Sequence, residues 1–100
     1  MEYSLEIFPE AEAAMNEAVV KLEKGKAGRG SDLLVAISEA LEFIAKFPKG
    51  SEVRYRSFRV KPIKGFSYLL IYEIIDIGNT DQKLIAIEDF VHQSSNWLLT

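Results

Sequence analysis

Apolar and polar positions alternate from the start of the chain, Tyr3, Leu5 and Ile7 against Glu2, Ser4 and Glu6, which is the period-2 signature of a half-buried strand. Pro9 ends that pattern and suits the first position of a helix, where Glu10 and Glu12 complement the positive end of the backbone dipole. Ala11, Met15, Ala18 and Leu22 then recur at helical spacing as far as Gly25. A second helix is predicted to be capped by Ser31, to bury Leu34, Ile37, Leu41, Ile44 and Phe47, and to stop at Pro48 and Gly50. The short connection makes the two helices an antiparallel hairpin. From Val53 onward the signal is β: a basic strand region to Lys64, a turn at Gly65, a strand from Phe66 to Asp76, a loop through residues 78–81, and a strand from Lys83 to His92.

The resulting order, βααβββ, predicts an α+β fold in which the helical hairpin packs on one face of a small antiparallel sheet. Strand alternation separates Leu69, Ile71 and Ile75 from Phe66, Tyr68, Leu70, Tyr72 and Ile74, and separates Ile85, Ile87 and Val91 from Glu88, Phe90 and His92. Assigning the aliphatic sets to the helices leaves Tyr68, Tyr72 and His92 on the face that the helices do not cover.

Length and composition change this picture little. A chain of 100 residues with 48% hydrophobic content fits one domain, residues 1–100, around one core. The acidic start, MEYSLEIFPE, and the lack of a run of about 20 apolar residues predict a cytoplasmic protein without a membrane span. With no cysteine and one histidine, disulfides, thiolate chemistry and a zinc site are excluded, and neither a metal nor a cofactor is expected. Glu88 and Asp89 are adjacent strand residues that point to opposite faces, so they do not form a metal pair. Gly25 to Ser31 lacks the strand and the residue order of a phosphate-binding loop and reads as an inter-helix turn.

Charge changes the picture more. The chain carries a formal net charge of -3, yet residues 53–64 hold five cations, Arg54, Arg56, Arg59, Lys61 and Lys64, and no acid. Clustering against the overall sign points to an anionic partner, or else to an edge strand guarded by charge. The basic segment runs into Phe66-Ser67-Tyr68-Leu69-Leu70-Ile71-Tyr72, and the last strand ends in Val91-His92 with Trp97 beyond.

In this order of elements, with Arg59 opening the second sheet strand and the aromatic and Val-His motifs following, the chain resembles the RelE/ParE superfamily, the toxins of bacterial type II toxin-antitoxin systems often described as plasmid stabilisation proteins. The resemblance implies a cognate antitoxin, a toxin-antitoxin hetero-oligomer, and one of three activities. The first is a ribosome-dependent mRNA endonuclease, an RNA-binding translation inhibitor in which a ribose 2′-hydroxyl attacks the adjacent phosphate. Its catalytic residues would be Arg59 and Lys61 on the scissile phosphate, His92 in proton transfer and Tyr72 orienting a hydroxyl, with Arg54, Arg56, Lys64 and Tyr68 binding nucleic acid. The second is a ParE-like inhibitor of DNA gyrase with no chemistry of its own. The third is an inactive binding module of the same fold.

Two departures bear on the choice. Ser95 stands where relatives place an arginine after the histidine, and Trp97 stands where proline is usual. A sequence pI near 5.2, with Glu73 and Glu88 near the sheet, also opposes binding to a phosphate backbone. Each candidate has a plain alternative: an exposed strand-end histidine for His92, and sheet packing for Tyr68 and Tyr72.

Overall fold

The computed structural model describes residues 2–95. Strand β1 (Glu2–Ile7) leads into helix α1 (Pro9–Gly25) and helix α2 (Arg29–Lys46), followed by β2 (Glu52–Tyr55), β3 (Phe58–Pro62), β4 (Tyr68–Asp76) and β5 (Gln82–His92). The strands form one five-stranded sheet in the order β1-β5-β4-β3-β2. Neighbouring strands are antiparallel except β1, which runs parallel to β5 with Leu5 opposite Ile85 and Ile7 opposite Ile87. The sheet is therefore mixed rather than wholly antiparallel. The helical hairpin between β1 and the rest of the sheet supplies the long crossover that a parallel neighbour requires.

The basic segment is two strands, not one. β2 and β3 meet in a tight hairpin at Arg56 and Ser57, with Tyr55 opposite Phe58. Arg56 adopts a φ of 53°, a left-handed conformation usually given to Gly, Asn or Asp. Because Tyr-Arg-Ser-Phe carries none of those residues, the turn leaves no ordinary signal in the sequence.

The inter-helix turn is confirmed, but its chemistry differs from the predicted Ser31 cap. Helix α2 begins at Arg29 with Gly28 as N-cap, at φ 89°. The free N–H groups at this end are met from the other helix: the Glu23 carboxylate accepts from Gly28 N–H at 2.9 and 3.1 Å and from Gly30 N–H at 2.9 Å. A carboxylate at a helix N-terminus also complements the dipole. The approach is close enough that a Cβ at Gly30 would lie 2.8 Å from the Val19 carbonyl oxygen. In α1 the predicted stripe holds, with Ala11, Met15 and Ala18 buried. In α2 the buried stripe is Leu33, Ile37, Ala40 and Ile44, whereas Leu34 and Phe47 are 50% and 54% exposed. The stripe turned by about one residue because Leu33 and Leu34 are adjacent and a helix buries one of them.

Both helices present many small residues to the sheet, Ala11, Ala14, Ala18, Ala36 and Ala40, beside the larger Met15, Leu33, Ile37 and Ile44, and the aromatic rings of the core come from the strands beneath. For β4 this reverses the predicted assignment of the sheet faces, whereas Ile85 and Ile87 of β5 lie on the helix side as predicted. Tyr68, Leu70, Tyr72, Phe90, Ile85 and Ile87 pack under the helices, whereas Val60, Leu69 and Ile71 form a second, smaller cluster on the opposite face with Phe58 and Val91. Tyr72 is completely buried, and its hydroxyl donates to the Pro48 carbonyl at 2.8 Å. Wide apolar rings fill the space that alanine-lined helices leave, and one local acceptor satisfies the phenol.

A β-bulge explains the rest of the reversal. Ile71 pairs with Asp89 and Tyr72 with Ile87, so Glu88 is an extra residue in β5. The bulge resets the alternation, so Ile87, Phe90 and His92 share one face, and Asp89 Oδ1 accepts the Phe90 N–H at 2.8 Å. An acidic pair inside an apolar strand was the visible trace of this irregularity.

Candidate functional site

Among the described residues, the candidate side chains on the helix-side face of the sheet are divided among three separate cavities. At one end, α1 and the ends of β4 and β5 enclose about 260 Å³ lined by Ala14, Glu17, Ala18, Lys21, Tyr68, Phe90 and His92. Tyr68 and His92 are opposite neighbours across the β4–β5 ladder. The Tyr68 ring stacks on Phe90 at 4.9 Å between centroids and meets the His92 imidazole edge-on at 5.5 Å. Ser94 fixes the imidazole: its N–H donates to His92 Nδ1 at 3.1 Å and its hydroxyl lies 2.7 Å from the same nitrogen. Nδ1 thus accepts the Ser94 N–H, and both Ser94 contacts fall on that nitrogen. Nε2 is the nitrogen left for a ligand.

A second cavity of about 180 Å³ lies between α2 and β3 and is lined by Ala36, Glu39, Ala40, Phe43, Lys61, Pro62 and Lys64. Here Lys61 Nζ sits 4.1 Å above the centre of the Phe43 ring, a cation–π contact that holds the ammonium against α2. Arg29 makes a matching contact with Phe66 at 4.1 Å, tying the β3–β4 turn to the start of α2.

The third cavity, about 300 Å³, lies beyond the C-terminal end of α2 and is lined by Lys49, Val53, Arg56, Ser57, Arg59, Ile74, Asp76 and Lys83. Arg59 works here as an anchor. Its guanidinium donates to the Ser51 carbonyl at 2.7 Å and to that of Lys49 at 3.4 Å. With the Tyr72–Pro48 bond, this fastens the α2–β2 connection to the sheet. Arg56 lies 5.3 Å over the Tyr55 ring. Arg54 pairs with Glu52 at 3.4 Å. Lys83 and Asp76 form an ion pair that lowers the Asp76 pKa and raises that of Lys83.

The structure therefore brings Tyr68 together with His92, and Arg56 with Arg59, but does not bring the two pairs together. Arg59 lies opposite Tyr72 and His92 opposite Tyr68. That places them four residues apart along β4 and two strands apart across the sheet, a Cα separation of about 17 Å at ordinary strand geometry. Lys61, opposite Leu70, is about 12 Å from His92 on the same reckoning. Between them stand the buried rings of Tyr72 and Phe90. The expected outward display of Tyr68, Tyr72 and His92 on a face free of helices is corrected: all three belong to the helix side, with His92 exposed at its margin, Tyr68 half-buried and Tyr72 sealed. Ser95 is exposed just past His92, and Trp97 lies outside the described residues.

The sequence placed Glu73 and Glu88 near the sheet but gave no sign that a Glu88 oxygen is buried. Glu88, at the bulge, has an Oε2 atom with no hydrogen-bond partner and no contact with solvent. Burial, and then proton sharing with and repulsion from the neighbouring Glu73 carboxylate, push its pKa up to about 7. Glu73 in turn accepts the Ser57 hydroxyl at 2.6 Å. Among the described residues no group of His, Asp or Glu is arranged to hold a metal, and no helix is long and apolar enough to cross a membrane.

Two helices laid on one side of a sheet whose first strand runs parallel to its last define an α+β protein of the RelE/ParE type. The match to known families makes this specific: residues 5–97 fit the model of the ParE toxin of the type II toxin-antitoxin system parDE, and the chain belongs to that family. Its partner, by that membership, is a cognate antitoxin. No curated protein matches the chain.

Proposed function

We propose that this toxin acts by gripping a protein target rather than by cutting RNA, with DNA gyrase, the target implied by the ParE resemblance, as that protein. The observation that carries the reading is the division of the candidate groups among three cavities. Cleavage by a ribose 2′-hydroxyl needs a proton-transfer group and phosphate-binding cations within hydrogen-bond reach of one phosphate. Here His92 stands beside Tyr68 and Phe90, Lys61 is held on Phe43, and Arg59 is engaged with two backbone carbonyls. Tyr72, buried and bonded to Pro48, serves the core. A net charge of -3 suits a protein partner better than a polyphosphate.

The antitoxin silences the protein by covering exposed apolar side chains on the helix pair, Val20, Leu34 and Val35 among them, as part of a toxin-antitoxin hetero-oligomer. The test is to induce the protein in bacterial cells and follow thymidine and methionine incorporation together. A gyrase-directed toxin stops DNA synthesis first. Prior arrest of translation would replace this reading with mRNA cleavage at the ribosome, and arrest of neither would leave an inert module.

A further inference from the structure

The cavity beyond the end of α2 has a composition that packing does not explain. Four cations line it, Lys49, Arg56, Arg59 and Lys83, against one carboxylate, Asp76, so its local charge is +3 in a protein whose net charge is -3. Asp76 is already paired with Lys83, and Arg59 is turned toward the Ser51 and Lys49 carbonyls. Among the described residues neither Lys49 nor Arg56 forms an ion pair. Lys49 acts on Asp76 and Asp81 acts on Lys83 at longer range, and Glu73 is bonded to Ser57.

Arg56 is the sharpest part of the observation. It occupies the hairpin at φ 53°, where an arginine pays a conformational cost that glycine or asparagine would avoid. Its guanidinium lies over the Tyr55 ring and lines the cavity. The rest of the lining indicates the kind of ligand. Val53, 47% exposed, and Ile74 stand among the cations. A phosphate backbone has no use for apolar walls, whereas a peptide that sets an acidic side chain beside an aliphatic one matches both components. Arg54 is drawn to Glu52 instead of extending the cluster, so the charge forms a pocket and not a track along which a nucleic-acid strand could lie.

We infer that the pocket formed by Lys49, Arg56, Arg59 and Lys83 receives a carboxylate side chain from an acidic, partly aliphatic segment of a protein partner. The inference rests on the reading that this toxin works by gripping proteins.

The test uses the purified, isotope-labelled protein and nuclear magnetic resonance. The probes are a short peptide of alternating glutamate and leucine, its glutamine counterpart, inorganic phosphate, and oligothymidine of equal charge. The glutamate peptide should shift the side-chain signals of Arg56, Lys49 and Lys83 and bind more tightly than the other three probes. Arg56→Gly should weaken that binding about tenfold, the loss of one charge-assisted contact, while leaving the thermal midpoint unchanged or higher. Lys49→Gln should reproduce the weakening. Equal binding of the glutamine peptide, tighter binding of oligothymidine or phosphate, or no binding of any probe would overturn the inference. Binding is read on purified protein and growth arrest in cells, so this inference and the proposed target can fail separately.

Discussion

The two ends of the helix-side sheet face carry the residues that the sequence singled out, and they are built on opposite plans. At the histidine end, aromatic rings do the positioning: Phe90 stacks under Tyr68, Tyr68 abuts His92, and Ser94 fixes the imidazole from the far side. At the cationic end, backbone carbonyls do it, because α2 finishes there and the connection to β2 turns its oxygens toward Arg59 and Tyr72. The Tyr72 phenol is sealed and spent on a carbonyl, and the Arg59 guanidinium is held by one of its nitrogens at this end, about 17 Å from His92, so neither can share a phosphate with the imidazole. The comparison teaches that cations close in sequence need not be equivalent in the fold. Of the five between Arg54 and Lys64, Arg59 and Lys61 are committed to holding elements together, and Arg56 is presented at a hairpin tip.

The strongest way to break this contrast is at Tyr72. Replacing it with alanine removes a completely buried ring from beneath both helices and should cost about 4 kcal/mol in urea unfolding. Tyr72→Phe keeps the ring and leaves the Pro48 carbonyl unpaired, so a loss of about 1 to 2 kcal/mol is expected. If both changes were neutral, the anchoring role of the cationic end would be wrong. Arg59→Met comes next. It keeps much of the side-chain bulk and removes the donors to Ser51 and Lys49, and should cost about 2 kcal/mol, with faster amide exchange in residues 48–51.

The opposite sheet face supplies a smaller, pH-dependent effect. The raised Glu88 pKa means that the folded protein holds a proton which the unfolded chain has released. Stability should therefore fall as pH rises from about 4.5 toward about 7 and level off above that. Glu88→Gln should remove this slope and be more stable than the parent by about 1 kcal/mol at pH 8, read from thermal midpoints across the pH series. A parent protein that gained stability over the same window would contradict the assignment. At the histidine end the expected effect is smallest: His92→Gln should change stability by under about 0.5 kcal/mol and leave growth arrest within about twofold. General acid–base catalysis instead predicts a loss of about 100-fold or more.

Much of the architecture was legible because it follows from simple periodicity. Tyr3, Leu5 and Ile7 marked the first strand, Pro9 marked the start of α1, and the Gly-rich connection marked the helical hairpin. The errors arose where a local rule met a tertiary one. Alternation correctly grouped Tyr68 with Tyr72 and Leu69 with Ile71, but it cannot say which group faces the helices. That was decided by the volume that Ala11, Ala14, Ala18, Ala36 and Ala40 leave unfilled. The bulge at Glu88 shifted the parity of β5, and its trace, Glu88-Asp89 within an apolar run, became readable once the register was known. The cap from Glu23 reaches α2 across the hairpin, so no local capping pattern near Ser31 could reveal it. The candidate site was legible as a set of residue types, and its partition was not, because spacing along β3 says nothing of what α2 and its following loop place on each side chain.

The most direct test of the central claim is a paired assay with purified protein, in which relaxed and supercoiled DNA are incubated with gyrase while, in parallel, mRNA is translated on ribosomes. A toxin whose histidine and cations occupy separate cavities should produce gyrase-dependent DNA breaks or loss of supercoiling and leave the translated mRNA intact. Cleavage of ribosome-bound mRNA that disappears in His92→Gln would contradict the account.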